Sequence, residues 1–254
     1  MILSVKNLSI AYSKKNVVND VNFDLEGGKI LSIVGESGSG KSTILKAVSG
    51  LLGRNGKISG GQVIFNGKDI TNIADDERRK ILGESMAMIF QNATASFCPI
   101  RTIGEQIYES VKEHKNWSES EFRKRAAVIM ESINLEKAAL DEYPFRLSGG
   151  MGQRAGILSA MILEPKLLLA DEPTSALDTI TQVSVVKELL KLKNEQKISI
   201  LLVTHHMGVA WYMADYVMIM KSGKVVEFGT KEEIFNSPKE KYTQELIEAV
   251  PKLR

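Results

Sequence analysis

The chain of 254 residues is short of several things at once. It has one cysteine, Cys98, so no internal disulfide can form. Its start, Met1-Ile2-Leu3-Ser4-Val5-Lys6, lacks the long apolar stretch of a secretory leader, and the two observations together predict residence in the reducing cytoplasm. Long hydrophobic runs are missing as well. Ala155 to Leu163 and Leu167 to Ala170 fall well short of the roughly 18 residues of a membrane span, so any membrane association is expected to come through a partner. Charge is nearly balanced, with 33 basic against 31 acidic residues, which leaves no electrostatic footprint for nucleic acid. Repeats, low-complexity tracts and flexible linkers are absent too. What is there, 43% hydrophobic and 25% charged residues, is ordinary globular usage with enough apolar material for a core.

Local patterns divide the chain. Leu3 to Phe23 and Ile30 to Val34 read as strands, the latter entering a glycine-rich turn. Ile44 to Val48 has helical character and ends near Gly50, and a further strand, Gln62 to Phe65, stops at Asn66-Gly67. The middle is charge-rich and helix-like over Ile103 to His114 and Glu119 to Ile133, the second opened by Ser118 with Glu121 as a capping box. Strand and helix alternation returns with Leu167 to Ala170, Thr181 to Lys197, Ile198 to Thr204 and Tyr216 to Met220. A second capping box, Thr230 with Glu233, precedes a short helix over Tyr242 to Ala249. The pattern predicts an α/β fold with a largely parallel sheet, interrupted by a helical insertion over about 93 to 160. The whole is expected to form one domain, with a strand and helices from about 221 to 254.

Three constellations carry chemistry. Gly35-Glu36-Ser37-Gly38-Ser39-Gly40-Lys41-Ser42 places two glycines five apart before Lys and Ser, a match expected by chance on the order of one per cent in a chain this long. A strand precedes it and a helix follows, so backbone N–H groups and the helix start converge on phosphate oxygens. Lys41 would neutralise β- and γ-phosphates and the Ser42 hydroxyl would ligate Mg²⁺, with Thr43 next on the same helix start. An ordinary glycine turn is the competing reading. Leu167 to Glu172 is an apolar strand ending in two carboxylates, at the edge where open α/β sheets bind ligands. There Asp171 would hold Mg²⁺ and Glu172 would accept a proton from an attacking water. Alone, the pair also fits a capping or salt-bridging role. Finally, Ser148-Gly149-Gly150 opens an apolar helix, which is either a second anion site or a plain N-cap.

Leu147-Ser148-Gly149-Gly150-Met151-Gly152-Gln153-Arg154 resembles the signature motif of ABC ATPases, and the other motifs of that family occur in order over nearly the whole chain. The resemblance implies a P-loop NTPase-type sheet core with an antiparallel β portion near the N-terminus and an inserted helical subdomain. It implies that Tyr12 stacks on adenine, that Gln91 in Met88-Ile89-Phe90-Gln91 couples Mg²⁺ and water to a membrane partner, and that His205 contacts the γ-phosphate. Ser175-Ala176-Leu177-Asp178 resembles the D-loop, which contacts an opposite subunit. Ser96-Phe97-Cys98-Pro99, Thr102 to Gln106, Ile234 to Pro238 and Tyr242-Thr243 are similar to the peptide and nickel importer group. Three residues depart from the family pattern: Gly152 where a larger residue is usual, His206 in place of aspartate, and Cys98 in place of asparagine.

That resemblance implies ATP and Mg²⁺ as cofactors, and a second ATPase subunit, related but different, since the Thr204 to Val209 segment looks like one of two types. It further implies two membrane-spanning permease subunits, an extracytoplasmic substrate-binding protein, a peripheral place on the cytoplasmic face of the cell membrane, and no nucleic-acid partner. The rivals are a soluble ABC-type clamp of DNA repair or translation, which would carry a coiled-coil insertion or second cassette, and a nucleotide sensor without turnover, which would need neither Glu172 nor His205. Nickel, a metal chelate, a dipeptide and an oligopeptide all remain open as cargo. The short tail with only Cys98 tilts the expectation toward nickel or a metallophore. Adjacent His205 and His206 lack the Cys or spaced carboxylates of a structural metal site, Cys98 reads as an unpaired loop thiol, and Asp75 to Lys80 reads as a solvated helix face.

Overall fold

The computed structural model describes residues 1–13, 15–175 and 177–249. Its contacts divide into two compact units, one made of Met1–Arg78 with the stretch from Ser199 onward, the other of Arg79–Ile198. The insertion expected over about 93 to 160 falls inside the second.

The chain begins with β1 (Leu3–Tyr12), β2 (Lys15–Leu25), β3 (Ile30–Val34), α1 (Lys41–Ser49), β4 (Gly56–Phe65), β5 (Lys68–Asp69) and α2 (Asp75–Ile81). The second unit follows with β6 (Met86–Ile89), α3 (Ile103–Lys112), α4 (Glu119–Ser132), α5 (Gly149–Met161), β7 (Leu167–Asp171) and α6 (Thr179–Gln196). The return to the first unit brings β8 (Ser199–Thr204), α7 (Met207–Met213), β9 (Tyr216–Lys221), β10 (Lys224–Thr230), α8 (Lys231–Asn236) and α9 (Lys241–Glu248).

Two kinds of strand build the first unit. In β2, Val21, Phe23 and Leu25 are buried while Asp20, Asn22 and Asp24 face solvent, the two-residue period of a sheet with one wet face. It belongs to an antiparallel sheet ordered β2-β1-β4-β5. By contrast β3 and β8 are buried at every position, as strands of a parallel sheet covered on both faces must be. β3 runs parallel to β8 on one side, Ile30 opposite Ile200, and to β9 on the other, Leu31 opposite Tyr216. β9 turns back into antiparallel β10 through Ser222 and Gly223, both at positive φ (49° and 80°), the twist that two-residue hairpins require. The expected antiparallel portion and largely parallel sheet are both present.

In the second unit β6 and β7 pair in parallel, Met86 opposite Leu167. Fully buried Phe122 of α4 stacks on Tyr108 of α3, with ring centroids 5.3 Å apart. The helix starts follow local chemistry. The Ser118 side chain accepts from the Glu121 N–H as anticipated, but the Glu121 carboxylate turns to Arg125, so only half of the anticipated capping box forms. Complete boxes join Thr230 to Glu233 and, unanticipated, Thr102 to Glu105. α2 buries none of its residues, in line with a solvated face.

Candidate active site

The phosphate loop lies in the first unit, between β3 and α1. Glycine is needed at its entry because the backbone there runs against β9: a Cβ on Gly35 would stand 2.1 Å from the Met220 carbonyl oxygen. It is needed again at Gly40, the residue capping α1, where φ is 101°. The Lys41 side chain, with the residue only 4% exposed, donates to the Gly35 and Glu36 carbonyls at 2.8 and 2.7 Å, folding the ammonium over its own loop. Ser42 and Thr43 follow in the first turn of α1. Two outer contacts tie the loop down: the Ser39 carbonyl accepts from the Gly223 N–H at 3.0 Å, and the Glu36 N–H meets the Tyr242 hydroxyl at 3.4 Å.

Tyr12 ends β1 opposite Lys15 and Gly56. Its ring presses on Gly56, where a Cβ would come within 2.8 Å of Cε1, so the aromatic face is set by a glycine. His205 and His206 follow β8 with ring centroids 4.0 Å apart, and both are exposed. Among the described residues no group of three or more His, Cys, Asp or Glu could hold a metal ion.

The second unit carries the acid end. Asp171, 6% exposed, closes β7. Glu172 stands at φ 45°, the left-handed region that costs a non-glycine residue on the order of 1–2 kcal/mol. This turn is held because the Glu172 carbonyl accepts from both the N–H and the hydroxyl of Ser175, each at 3.2 Å. It swings the Glu172 carboxylate off the strand, where its Oε2 accepts from Gln91 Nε2 at 3.1 Å. Residues 81 positions apart are thus brought together at the ends of two paired strands, Gln91 just beyond β6 and Glu172 just beyond β7.

Ser148 caps α5, its side chain accepting from the Met151 N–H at 3.3 Å, and exposed Gly149 and half-buried Gly150 open its first turn. Behind them Gly152 is buried. A Cβ there would lie 1.8 Å from Thr94 Oγ1, so Thr94 occupies the room that a larger side chain would need. Asp178 caps α6, accepting from Thr181 Oγ1 at 2.6 Å and from the Ile180 and Thr181 N–H groups at 3.0 Å. Those bonds, the Thr181 hydroxyl foremost, hold its carboxyl below the ordinary aspartate value.

The ABC transporter family description matches residues 18–175, well over half of the chain. The chain belongs to the ABC transporter ATPase family. It is 40% identical to the oligopeptide transport ATP-binding protein OppD of Haemophilus influenzae, over 99% of this chain and 80% of that one. It is 37% identical to the metal-staphylopine import system ATP-binding protein CntD of Staphylococcus aureus, over 99% of this chain and 94% of that one. Among solved structures, the ATP-binding cassette MJ0796, a dimer in a post-hydrolysis state bound to ADP and Pi, superposes with a TM-score of 0.81 at 30% identity, covering 90% of this chain and 98% of that one. This ABC ATPase therefore binds and hydrolyses ATP to energise transport. Among its described residues no helix is long and apolar enough to cross a membrane.

Sequence reasoning missed the contacts of Tyr242 and Gly223 with the loop, the filling of the Gly152 site by Thr94, and the left-handed turn at Glu172. Only the Ser222-Gly223 dipeptide carried a readable signal, a hairpin turn.

Proposed function

We propose that this ATPase energises import of a peptide or a metal chelate, working at the cytoplasmic face of the cell membrane. Its complex contains a second, related but different ATPase, two membrane-spanning permease subunits and an extracytoplasmic substrate-binding protein. The relatives named for oligopeptide transport and metal-staphylopine import support the cargo class. The dimeric cassette in its post-hydrolysis state supports pairing of two such chains.

The observation that carries the mechanism is the 3.1 Å bond from Gln91 to Glu172. It orients a carboxylate that, as general base, takes the proton of the attacking water while the bond from the γ-phosphorus to the bridging oxygen breaks. Lys41 and the N–H groups at the start of α1 hold the β- and γ-phosphates, Tyr12 stacks on the adenine, and His205 meets the γ-phosphate. Ser148, Gly149 and Gly150 complete the site of the opposite subunit. The Ser42 hydroxyl, the Asp171 carboxylate and the Gln91 amide oxygen are the hard oxygen donors that suit Mg²⁺, and Gln91 spends its N–H on Glu172. Bound there, the cation would neutralise phosphate charge. Because ATP touches both subunits only when they close, its binding favours the closed state and its hydrolysis removes that bias.

Glu172→Gln tests this reading in the co-expressed complex. It should retain ATP, accumulate as the closed ATP-bound dimer and lose turnover by about 10²–10⁴-fold. Turnover near wild type would remove Glu172 from the role of base. Light scattering on the same material checks the pairing. A stable, fully active homodimer that gains nothing from a second ATPase would contradict it.

A further inference from the structure

The first peptide plane of the phosphate loop, between Gly35 and Glu36, has a partner at each end. Its carbonyl accepts from the Lys41 ammonium at 2.8 Å, and its N–H donates to the Tyr242 hydroxyl at 3.4 Å. A peptide unit is rigid and planar, so a group that fixes the N–H direction also fixes where the carbonyl points. Tyr242 is 206 residues from Glu36 in sequence and sits in the first turn of α9.

The tyrosine is itself held. Its ring is 8% exposed, within a cluster that includes Val34, Ile219 and Ile234, and Lys221 Nζ stands 4.1 Å over its face. The start of α9 is anchored by Glu227 of β10, which accepts from the Lys239 and Glu240 N–H groups at 2.8 and 3.3 Å. Burial alone would raise the Glu227 carboxyl, and its hydrogen bonds more than offset that. Burial pushes the Tyr242 phenol up, more than the bond from the Glu36 N–H, which the hydroxyl accepts, pulls it down. A phenylalanine would fill the same apolar cluster. Only the hydroxyl reaches the loop.

We propose that Tyr242 is a positioning residue for nucleotide binding, its hydroxyl locking the Gly35–Glu36 peptide plane so that the opposite carbonyl holds Lys41 in line with the phosphates. The inference rests on the reading of Lys41 as the contact to the β- and γ-phosphates. Losing the lock lets the peptide rotate and Lys41 drift, a cost that falls on nucleotides with those phosphates and not on AMP.

The test uses the full chain with Tyr242→Phe and, in parallel, Lys41→Ala, and reads displacement of a fluorescent ATP analogue by ATP and by AMP. Tyr242→Phe should bind ATP about three- to tenfold more weakly, the scale of one hydrogen bond, with AMP affinity unchanged and Tm lowered by no more than about 6 °C. ATP affinity equal to wild type, or equal losses for ATP and AMP, would overturn the inference. If Lys41→Ala loses ATP while Tyr242→Phe does not, only the tyrosine's role falls. If Lys41→Ala binds ATP normally, the phosphate-loop reading fails and this inference with it. Should Tyr242→Phe not fold, amide exchange in the native chain decides: a Glu36 N–H protected relative to that of Gly38 supports the lock, and equal exchange refutes it.

Discussion

Removing the carboxylate of Glu188 should cost this protein a large part of its stability. Glu188 of α6 and Arg154 of α5 form an ion pair at 2.9 Å with side-chain exposures of only 4% and 14%. Arg154 Nε donates to both carboxylate oxygens, at 3.2 and 3.1 Å, and Ser184 Oγ and Asn134 Nδ2 add bonds at 2.8 and 3.2 Å. Glu188→Ala strands a guanidinium where little water reaches it, a situation that costs about 3–5 kcal/mol. At about 2–4 °C per kcal/mol for a chain of this size, Tm should fall by roughly 6–20 °C in calorimetry at neutral pH. The double variant Arg154→Met with Glu188→Leu replaces the pair by apolar side chains of similar volume, and should recover most of the loss. A single-variant cost below about 1 kcal/mol, or a double variant as unstable as the single, would refute the argument that an uncompensated buried charge sets the penalty. The pair also ties α5, with Ser148 at its start, to α6.

Gly152→Ala should destabilise by about 1–3 kcal/mol because its Cβ meets Thr94 Oγ1. In a Thr94→Ala background the 1.8 Å clash is gone but the Cβ of residue 94 remains at 3.0 Å, so the cost should shrink to below about 1 kcal/mol as helix propensity offsets what is left, and chemical denaturation reads the difference. Asp178, held below the ordinary aspartate value, supplies stability above that value and loses it as pH falls through its own lower one. An NMR titration should place its midpoint below that of an exposed aspartate, and Asp178→Asn should flatten this acid limb of the stability profile.

The parts of the site legible in the sequence are those whose chemistry demands residue types at short spacing. Gly35, Gly40, Lys41 and Ser42 could be read because phosphate binding needs a turn, a close backbone approach, a cation and a hydroxyl within eight residues. The apolar run ending in Asp171 and Glu172 could be read because a buried parallel strand is hydrophobic throughout. What stayed hidden depends on partners far away in the chain. Gly152 looked like an unexplained departure until Thr94, 58 residues earlier by the numbering, proved to fill its space. Tyr12 and Gln91 stand out by resemblance alone, since neither a tyrosine ending a strand nor an exposed glutamine announces a role. At Ser118 the local pattern misled, because Glu121 had a competing arginine one turn on. At Thr102 the same pattern was present and overlooked.

The hairpin turn at Ser222 and Gly223, which clasps the phosphate loop through Ser39, also bears on biosynthesis. The loop leaves the ribosome well before β9, the turn and α9 are made. At about 5–20 residues per second, the 206 residues between Glu36 and Tyr242 take roughly 10–40 s to translate. Until Ser199 is reached, 163 residues after Glu36, β3, apolar at almost every position, has neither β8 nor β9 beside it. Over that stretch the nascent chain carries an unfinished nucleotide pocket and an unpaired, aggregation-prone strand, and competence for ATP waits on strands made long after the phosphate loop.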